Sequence, residues 1–200
     1  HIVFCDEIFV VDREWCLEFA EKYKASGLGI RFYGNCHPHT SKEDMLRALH
    51  DAGMWFAQFG VQSASERILK NYFARRTTNR ENREFLELLQ RVGFERISLD
   101  LINDVPQMTD EDCVETLEYF LSLPKPFELL IYKLTYYPTC DTDILTRPES
   151  NLSRKDWLFW SMMFLLTQAP DISADTVRAM SRDPYLRENP EVLADLVNSV

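Results

Sequence analysis

Two adjacent carboxylates, Asp6 and Glu7, follow the apolar run Ile2-Val3-Phe4-Cys5. Such a pair can hold an ammonium group or a metal ion, or it can sit in solvent ahead of a helix N-terminus. Gln62 and Ser63 end a second apolar run, Met54 to Val61, and offer amide and hydroxyl hydrogen bonds. Asp100 lies inside a third, Ile97 to Ile102, where a buried acid needs a partner. Arg75-Arg76 can grip a carboxylate through a guanidinium fork or form a solvated helix end. His37 and His39, flanking Pro38, are metal ligands in principle and exposed loop residues on the simpler reading.

The elements that must position these residues alternate between two periods. Ile2–Cys5 is strand material, and a helix is expected near 12–26 with Asp12 as N-cap, Trp15, Phe19 and Tyr23 inward, and Gly27 at its end. A strand at 30–34 leads to a helix started by Ser41 and Asp44 and stopped at Gly53. The Met54 strand reaches Gly60, which permits an unusual dihedral or a close approach, and Ser65 caps a helix carrying Ile68, Leu69 and Tyr72. A further helix at 79–92 ends at Gly93, and a strand follows at 97–102. Thr109 with Asp112 then starts a helix packing Val114, Leu117 and Leu121, before a last strand at 128–134. Connections of about twenty residues or more cannot be hairpins, so these five strands are parallel, in an α/β fold. A closed eight-stranded barrel takes about 250 residues, so an incomplete barrel or an open doubly wound sheet is expected. Ligands then bind at the strands' carboxyl ends, where Asp6, Glu7, Gln62, Ser63 and Asp100 all fall. Beyond Pro138 the chain turns to coil, then to helices near 154–167, 171–181 and 190–199, with Trp157, Trp160, Met163 and Phe164 as a face that covers part of the sheet.

The balance of 22 basic and 32 acidic side chains, net −10 over 200 residues, repels phosphate backbones and argues against general nucleic-acid binding. Five scattered cysteines with no C-x-x-C pair support neither a zinc site nor a disulfide framework, so reduced thiols and a cytoplasmic location are expected. No apolar run reaches membrane-spanning length. The chain opens in mid-strand without methionine, and a piece of something longer is expected.

Taken together, the motifs resemble the radical S-adenosylmethionine (SAM) enzymes. Gly60-Val61-Gln62-Ser63-Ala64-Ser65 with Ile68-Leu69-Lys70, Arg75 and Thr78 is similar to the family's G-[IV]-[QE]-S-x-S, L-K and R-x-x-T sequence. Phe4-Cys5-Asp6-Glu7-Ile8-Phe9 is similar to its F-x-D-[DE]-x-F. Asp100-Leu101-Ile102 with Pro106, Thr109, Glu111 and Asp112 resembles D-x-I-x-G-x-P-x-x-T-x-E-D, and Leu134 with Pro138-Thr139 resembles L-x-x-x-P-x-T. The resemblance implies a radical SAM-type (β/α)6 partial TIM barrel over residues 1–146, holding the second to sixth strands, and a helical extension over 147–200.

It also implies roles. Asp6 and Glu7 would face the methionine ammonium, Gln62 and Ser63 the ribose, Arg75 the methionine carboxylate, and Asp100 the neighbourhood of the adenine. In the family a [4Fe-4S] cluster, fed by an external electron donor, cleaves SAM to a 5′-deoxyadenosyl radical that attacks a substrate. The hallmark C-x-x-x-C-x-x-C is not among Cys5, Cys16, Cys36, Cys113 and Cys140, so its cysteines are expected upstream of His1, and this chain alone is expected to be inactive. Asp104 and Gln107 stand where the family commonly has glycine, a variant similar to the subgroup with a cobalamin-binding domain. Two other functions remain open from the residues: a non-catalytic barrel acting as a binding or scaffold module, and an α/β enzyme with a metal at Asp6, Glu7 and His37. Substrate contacts come from loops that these motifs do not specify.

Overall fold

A computed structural model describes residues 1–135 and 152–198. Its strands are β1 (Ile2–Val3), β2 (Phe32–Asn35), β3 (Met54–Gln62), β4 (Arg96–Ile102) and β5 (Glu128–Tyr132), in one parallel sheet of order β1-β2-β3-β4-β5. Phe32 is in register with Met54 and Asn35 with Gln58, and an irregularity between Phe32 and Tyr33 brings Tyr33 opposite Phe56. Helices α1 (Arg13–Ala25), α2 (Glu43–Asp51), α3 (Glu66–Asn71), α4 (Asn79–Val92) and α5 (Asp110–Ser122) fill the crossovers. They are followed by α6 (Arg154–Leu166), α7 (Ala174–Ser181), α8 (Pro184–Glu188) and α9 (Val192–Asn198).

Two compact units divide the described chain. The first comprises His1–Val61, Thr77–Asp100 and Pro126–Glu128, and the second Gln62–Arg76, Leu101–Lys125 and Leu129 onward. In the first, strand alternation sorts the side chains. Phe32, Ala57, Phe59, Ile97 and Leu99 are buried, with Phe59 stacked edge-on to Phe85 of α4. Phe4, Phe9, Phe19 and Phe32 form an aromatic knot against α1, and Gly34 is required there, because a Cβ would lie 2.7 Å from that of Phe9. The opposite face carries Tyr33, Asn35, Gln58 and Asp100, all half-buried.

The second unit holds α3, α5 and the C-terminal helices. Phe159, Trp160, Met163 and Phe164 of α6 are buried, and the carbonyl oxygen of Gln168's side chain accepts the Leu129 N–H of β5 at 2.8 Å. Arg187 of α8 bridges Asp110 of α5 and Asp156 of α6, and Asp110 also accepts the Trp160 indole N–H at 3.1 Å.

Several local expectations shift. The second strand starts at Phe32, since Gly29 adopts φ +62 and Ile30 is exposed. Ser41 does not cap α2. Lys42 occupies that position, while the Ser41 hydroxyl donates to the Val10 carbonyl at 2.8 Å and accepts the His37 N–H. Trp15 and Val114 are largely exposed. The unusual dihedral falls on Gln62, φ +66, rather than on Gly60. The helix expected at 190–199 is α9, and the short α8 before it, capped by Asp183 with Pro184 in its first turn, was not expected. The domain boundary at 146, together with Pro138-Thr139 and Cys140, lies outside the described residues.

Candidate functional site

In the first unit a row of polar groups crosses the sheet face opposite the aromatic knot. Asn35 and Gln58 are in-register neighbours on β2 and β3, so their amides share that face. The Asn35 Nδ2 donates to the Asp6 carbonyl at 2.9 Å, which fixes the chain just beyond β1 and leaves the Asp6 and Glu7 carboxylates exposed. Gln58 Nε2 straddles both carboxylate oxygens of Asp100 at 2.9 and 3.0 Å, supplying the partner an acid inside a strand requires. Nearer the strands' amino ends, Arg96 lies over the Phe56 ring at 4.8 Å and pairs with Glu128 at 2.6 Å, so its charge is spent internally. The net character of this row is acidic and amide-rich. It suits a ligand with cationic or hydrogen-bond-donating groups and disfavours a phosphate. Asp6, Glu7 and Asp100 therefore belong to one unit.

Gln62, Ser63 and Arg75 belong to the other. Gln62 is half-buried, in left-handed backbone that an L side chain adopts at a cost. Ser63 is fully buried, and its hydroxyl accepts the Ser65 N–H at 3.2 Å, so it shapes the turn from beneath. Arg75 is half-buried, its N–H bonded to the Leu69 carbonyl at 3.0 Å after Ala74, another non-glycine residue at positive φ. Around the same turn Asp112, only 3 % exposed, accepts from the Ser65 hydroxyl at 2.7 Å, from Arg67, and from the Thr109 N–H at 2.8 Å. Burial pushes the Asp112 carboxyl up, but the bonds from Arg67, Ser65 and Thr109 outweigh it and hold the group below its ordinary range. Asp104 accepts the Leu134 N–H at 2.6 Å, and there burial wins and raises the carboxyl.

Asn35 and Gln58 escaped notice in the sequence. Their signal was present: Gln58, Gly60 and Gln62 repeat at period two within an otherwise apolar strand.

The cysteines do not provide a cluster site. Cys5 is exposed and the other three described ones are buried; burial raises the Cys16 thiol to about 11 and that of Cys36 to about 12, and raises Cys113 as well. Among the described residues no group of three His, Cys, Asp or Glu side chains is arranged to hold a metal ion. Asp6, Glu7 and His37 do not form such a group, and the His37 ring accepts the His39 N–H at 3.2 Å. No helix among the described residues is long and apolar enough to cross a membrane.

A sequential parallel sheet with polar groups at the strands' carboxyl ends defines an α/β protein of the partial-barrel class. The family model of the radical SAM superfamily matches residues 11–120, and the chain belongs to that superfamily. An uncharacterized methyltransferase of Pyrococcus horikoshii is 23% identical over 118 residues, covering 59% of this chain and 25% of that protein. The heme chaperone HemW of Lactococcus lactis is 29% identical over 103 residues, covering 52% and 27%. The chain thus spans about a quarter of the length of these relatives. Among solved structures, the coproporphyrinogen III oxidase HemN of Escherichia coli superposes with a TM-score of 0.54 at 22% identity, over 69% of this chain and 32% of its own. The radical SAM methyltransferase TsrM of Kitasatospora setae, solved with cobalamin and a [4Fe-4S] cluster, gives 0.54 at 13% identity, over 64% and 25%. Both likenesses concern the fold.

Proposed function

We propose that this chain is the SAM-binding part of a radical SAM enzyme, with Asp6 and Glu7 receiving the ammonium of SAM, Gln62 its ribose, Arg75 its carboxylate and Asp100 the side of its adenine. The observation that carries this reading is the Asn35–Gln58–Asp100 row, an acidic, amide-rich strip that runs from the carboxyl end of β2 through the middle of β3 to the carboxyl half of β4 in a superfamily member. The residue chemistry fits SAM: exposed carboxylates match a cation, a guanidinium matches a carboxylate, and amides match a diol and a base edge. Ser63 contributes through the shape of its turn. In the family, a [4Fe-4S] cluster supplies the electron that splits SAM into methionine and a 5′-deoxyadenosyl radical. The described cysteines do not fit that cluster, so in this reading its ligands come from outside the described residues. An external electron donor, an unspecified substrate, a cobalamin partner of the kind TsrM binds, and a cytoplasmic setting go with this reading.

The same misfit favours a second reading, a barrel that keeps binding without the chemistry. Two measurements separate them. Calorimetric titration of this chain with S-adenosylhomocysteine is expected to show binding that Arg75→Ala abolishes; a folded chain with no binding overturns the first reading. Anaerobic iron–sulfide reconstitution of the whole protein is expected to give 5′-deoxyadenosine under reducing conditions, and this chain alone none. A whole protein that yields no product favours the second.

A further inference from the structure

The second unit concentrates backbone strain. The three non-glycine residues at positive φ in the described chain, Gln62 (φ 66), Ala74 (φ 47) and Gln107 (φ 67), all lie in it, at the last residue of β3 and in the segments that follow β3 and β4. Such conformations persist only where the surroundings over-determine them. Two of the three turns are held by one buried carboxylate. Asp112 receives the Ser65 hydroxyl, which in turn accepts the Ile68 N–H at 3.4 Å, while the Ser65 N–H is taken by Ser63, next to Gln62. Asp112 also receives the Arg67 guanidinium, whose Nη2 donates to the carbonyl of Gln107 at 2.7 Å. Its remaining bonds reach back to the N–H and hydroxyl of Thr109, the N-cap of α5.

We infer that Asp112 is a positioning residue. Through Ser65 it holds the Gln62–Ser63 turn, and through Arg67 it holds the Gln107 turn, so that Gln62 is presented in a fixed left-handed conformation to the ligand. The inference rests on the SAM reading for the identity of that ligand, but not for the clasp itself. A carboxylate suits the task because it accepts several bonds at once from two directions. The amide of Asn at this position would keep the shape and oppose one of those donors with its own NH2.

The test compares wild type, Asp112→Asn, Asp112→Glu, and Asp112→Asn combined with Gln107→Gly, which removes the left-handed cost at 107 and returns stability without restoring the clasp. The readouts are the urea midpoint, NMR hydrogen exchange at the Ser65 and Ile68 amides against the Leu89 amide of the first unit, and affinity for S-adenosylhomocysteine. Asp112→Asn is expected to speed exchange at Ser65 and Ile68 by about ten-fold relative to Leu89, and to weaken the ligand by about ten-fold, as loss of preorganisation does. Asp112→Glu should recover part of both. In the double variant the midpoint should recover in part while exchange and affinity do not. If exchange and affinity return together with the midpoint, or if Asp112→Asn leaves Ser65 and Ile68 unchanged, Asp112 is a stabilising residue only and the inference is overturned. A wild-type chain that fails to bind the ligand, with exchange behaving as expected, refutes the SAM reading and leaves the clasp standing.

Discussion

Asp104 and Gln107 stand where the resembled family motif has glycine, and the structure gives opposite signs for placing glycine at them. Gln107 sits at φ +67 with an exposed side chain, and the bond it makes to Arg67 uses its carbonyl. Gln107→Gly therefore loses no described contact. Left-handed backbone costs an L residue about 1–2 kcal/mol, and the extra freedom of glycine in the unfolded chain costs about 0.5–1 kcal/mol, so a net gain of about 0.5–1 kcal/mol is expected. Asp104 has no positive φ, and its carboxylate accepts the Leu134 N–H at 2.6 Å. Asp104→Gly removes that acceptor at about 1–3 kcal/mol and adds the same glycine entropy, while relief of a partly buried acid offsets some of the loss. A net loss of about 1–2 kcal/mol follows. At roughly 2–4 °C per kcal/mol for a chain of this size, thermal midpoints should separate the two variants by several degrees in opposite directions. Calorimetry on both variants and wild type decides it. A destabilised Gln107→Gly would refute the account of strain at 107, and a neutral Asp104→Gly would show that the Leu134 amide finds another acceptor at no cost.

Asp112 has a depressed folded pKa, so the stability it contributes is complete above about pH 4, its unfolded value, and drains as pH falls through the folded one; urea midpoints from pH 7 to pH 3 should fall less steeply at the acid end in Asp112→Asn. Arg187→Ala unties α8 from Asp110 and Asp156 and should cost about 1–2 kcal/mol by urea denaturation, with hydrogen exchange faster in α8 than in α4. Iodoacetamide at mildly alkaline pH should modify Cys5 well before Cys16, Cys36 or Cys113, as peptide mass spectrometry would show, because those three are buried with raised thiols.

What the sequence made legible was local. Asp12 and Ser65 cap their helices, the Asp112 carboxylate reaches back to Thr109, and Gly93 ends α4 at φ +103, each as a three- or four-residue pattern predicts. The parallel pairing followed from crossover length, and the sequential order from the resemblance to a partial barrel. The partner of Asp100 was not legible. Gln58 lies 42 residues away, and only the register of β3 beside β4 makes it the answer to a need the sequence could state but not fill. Asp112 was read as a cap, which it is, but its bonds to Ser65 and Arg67, 47 and 45 residues distant, carry no local signature. The same holds for Trp15: helical spacing turned it inward, whereas it lies at the rim of the Phe9–Phe19 cluster with nearly half its surface exposed.

The shift of the unusual dihedral from Gly60 to Gln62 bears on function. Glycine at 60 lies within β3, in a row with Gln58 and Gln62 on alternate positions, and needs no positive φ there. Had the turn been built on glycine, its conformation would have come free of enthalpic cost and without a side chain to present. Placing Gln62 in that backbone gives up about 1–2 kcal/mol, and under the proposed SAM reading the return is an amide offered to the ligand from a turn that Ser63 and Ser65 brace. Gln62→Gly separates these two effects. It should stabilise the chain modestly, as at 107, while weakening S-adenosylhomocysteine by the loss of the amide's hydrogen bonds, about ten-fold for one bond of average strength. Stability rising with affinity unchanged would mean that Gln62 is strained for some reason other than the ligand. Stability falling would mean that the amide itself holds the turn, and the strain would then be repaid within the fold.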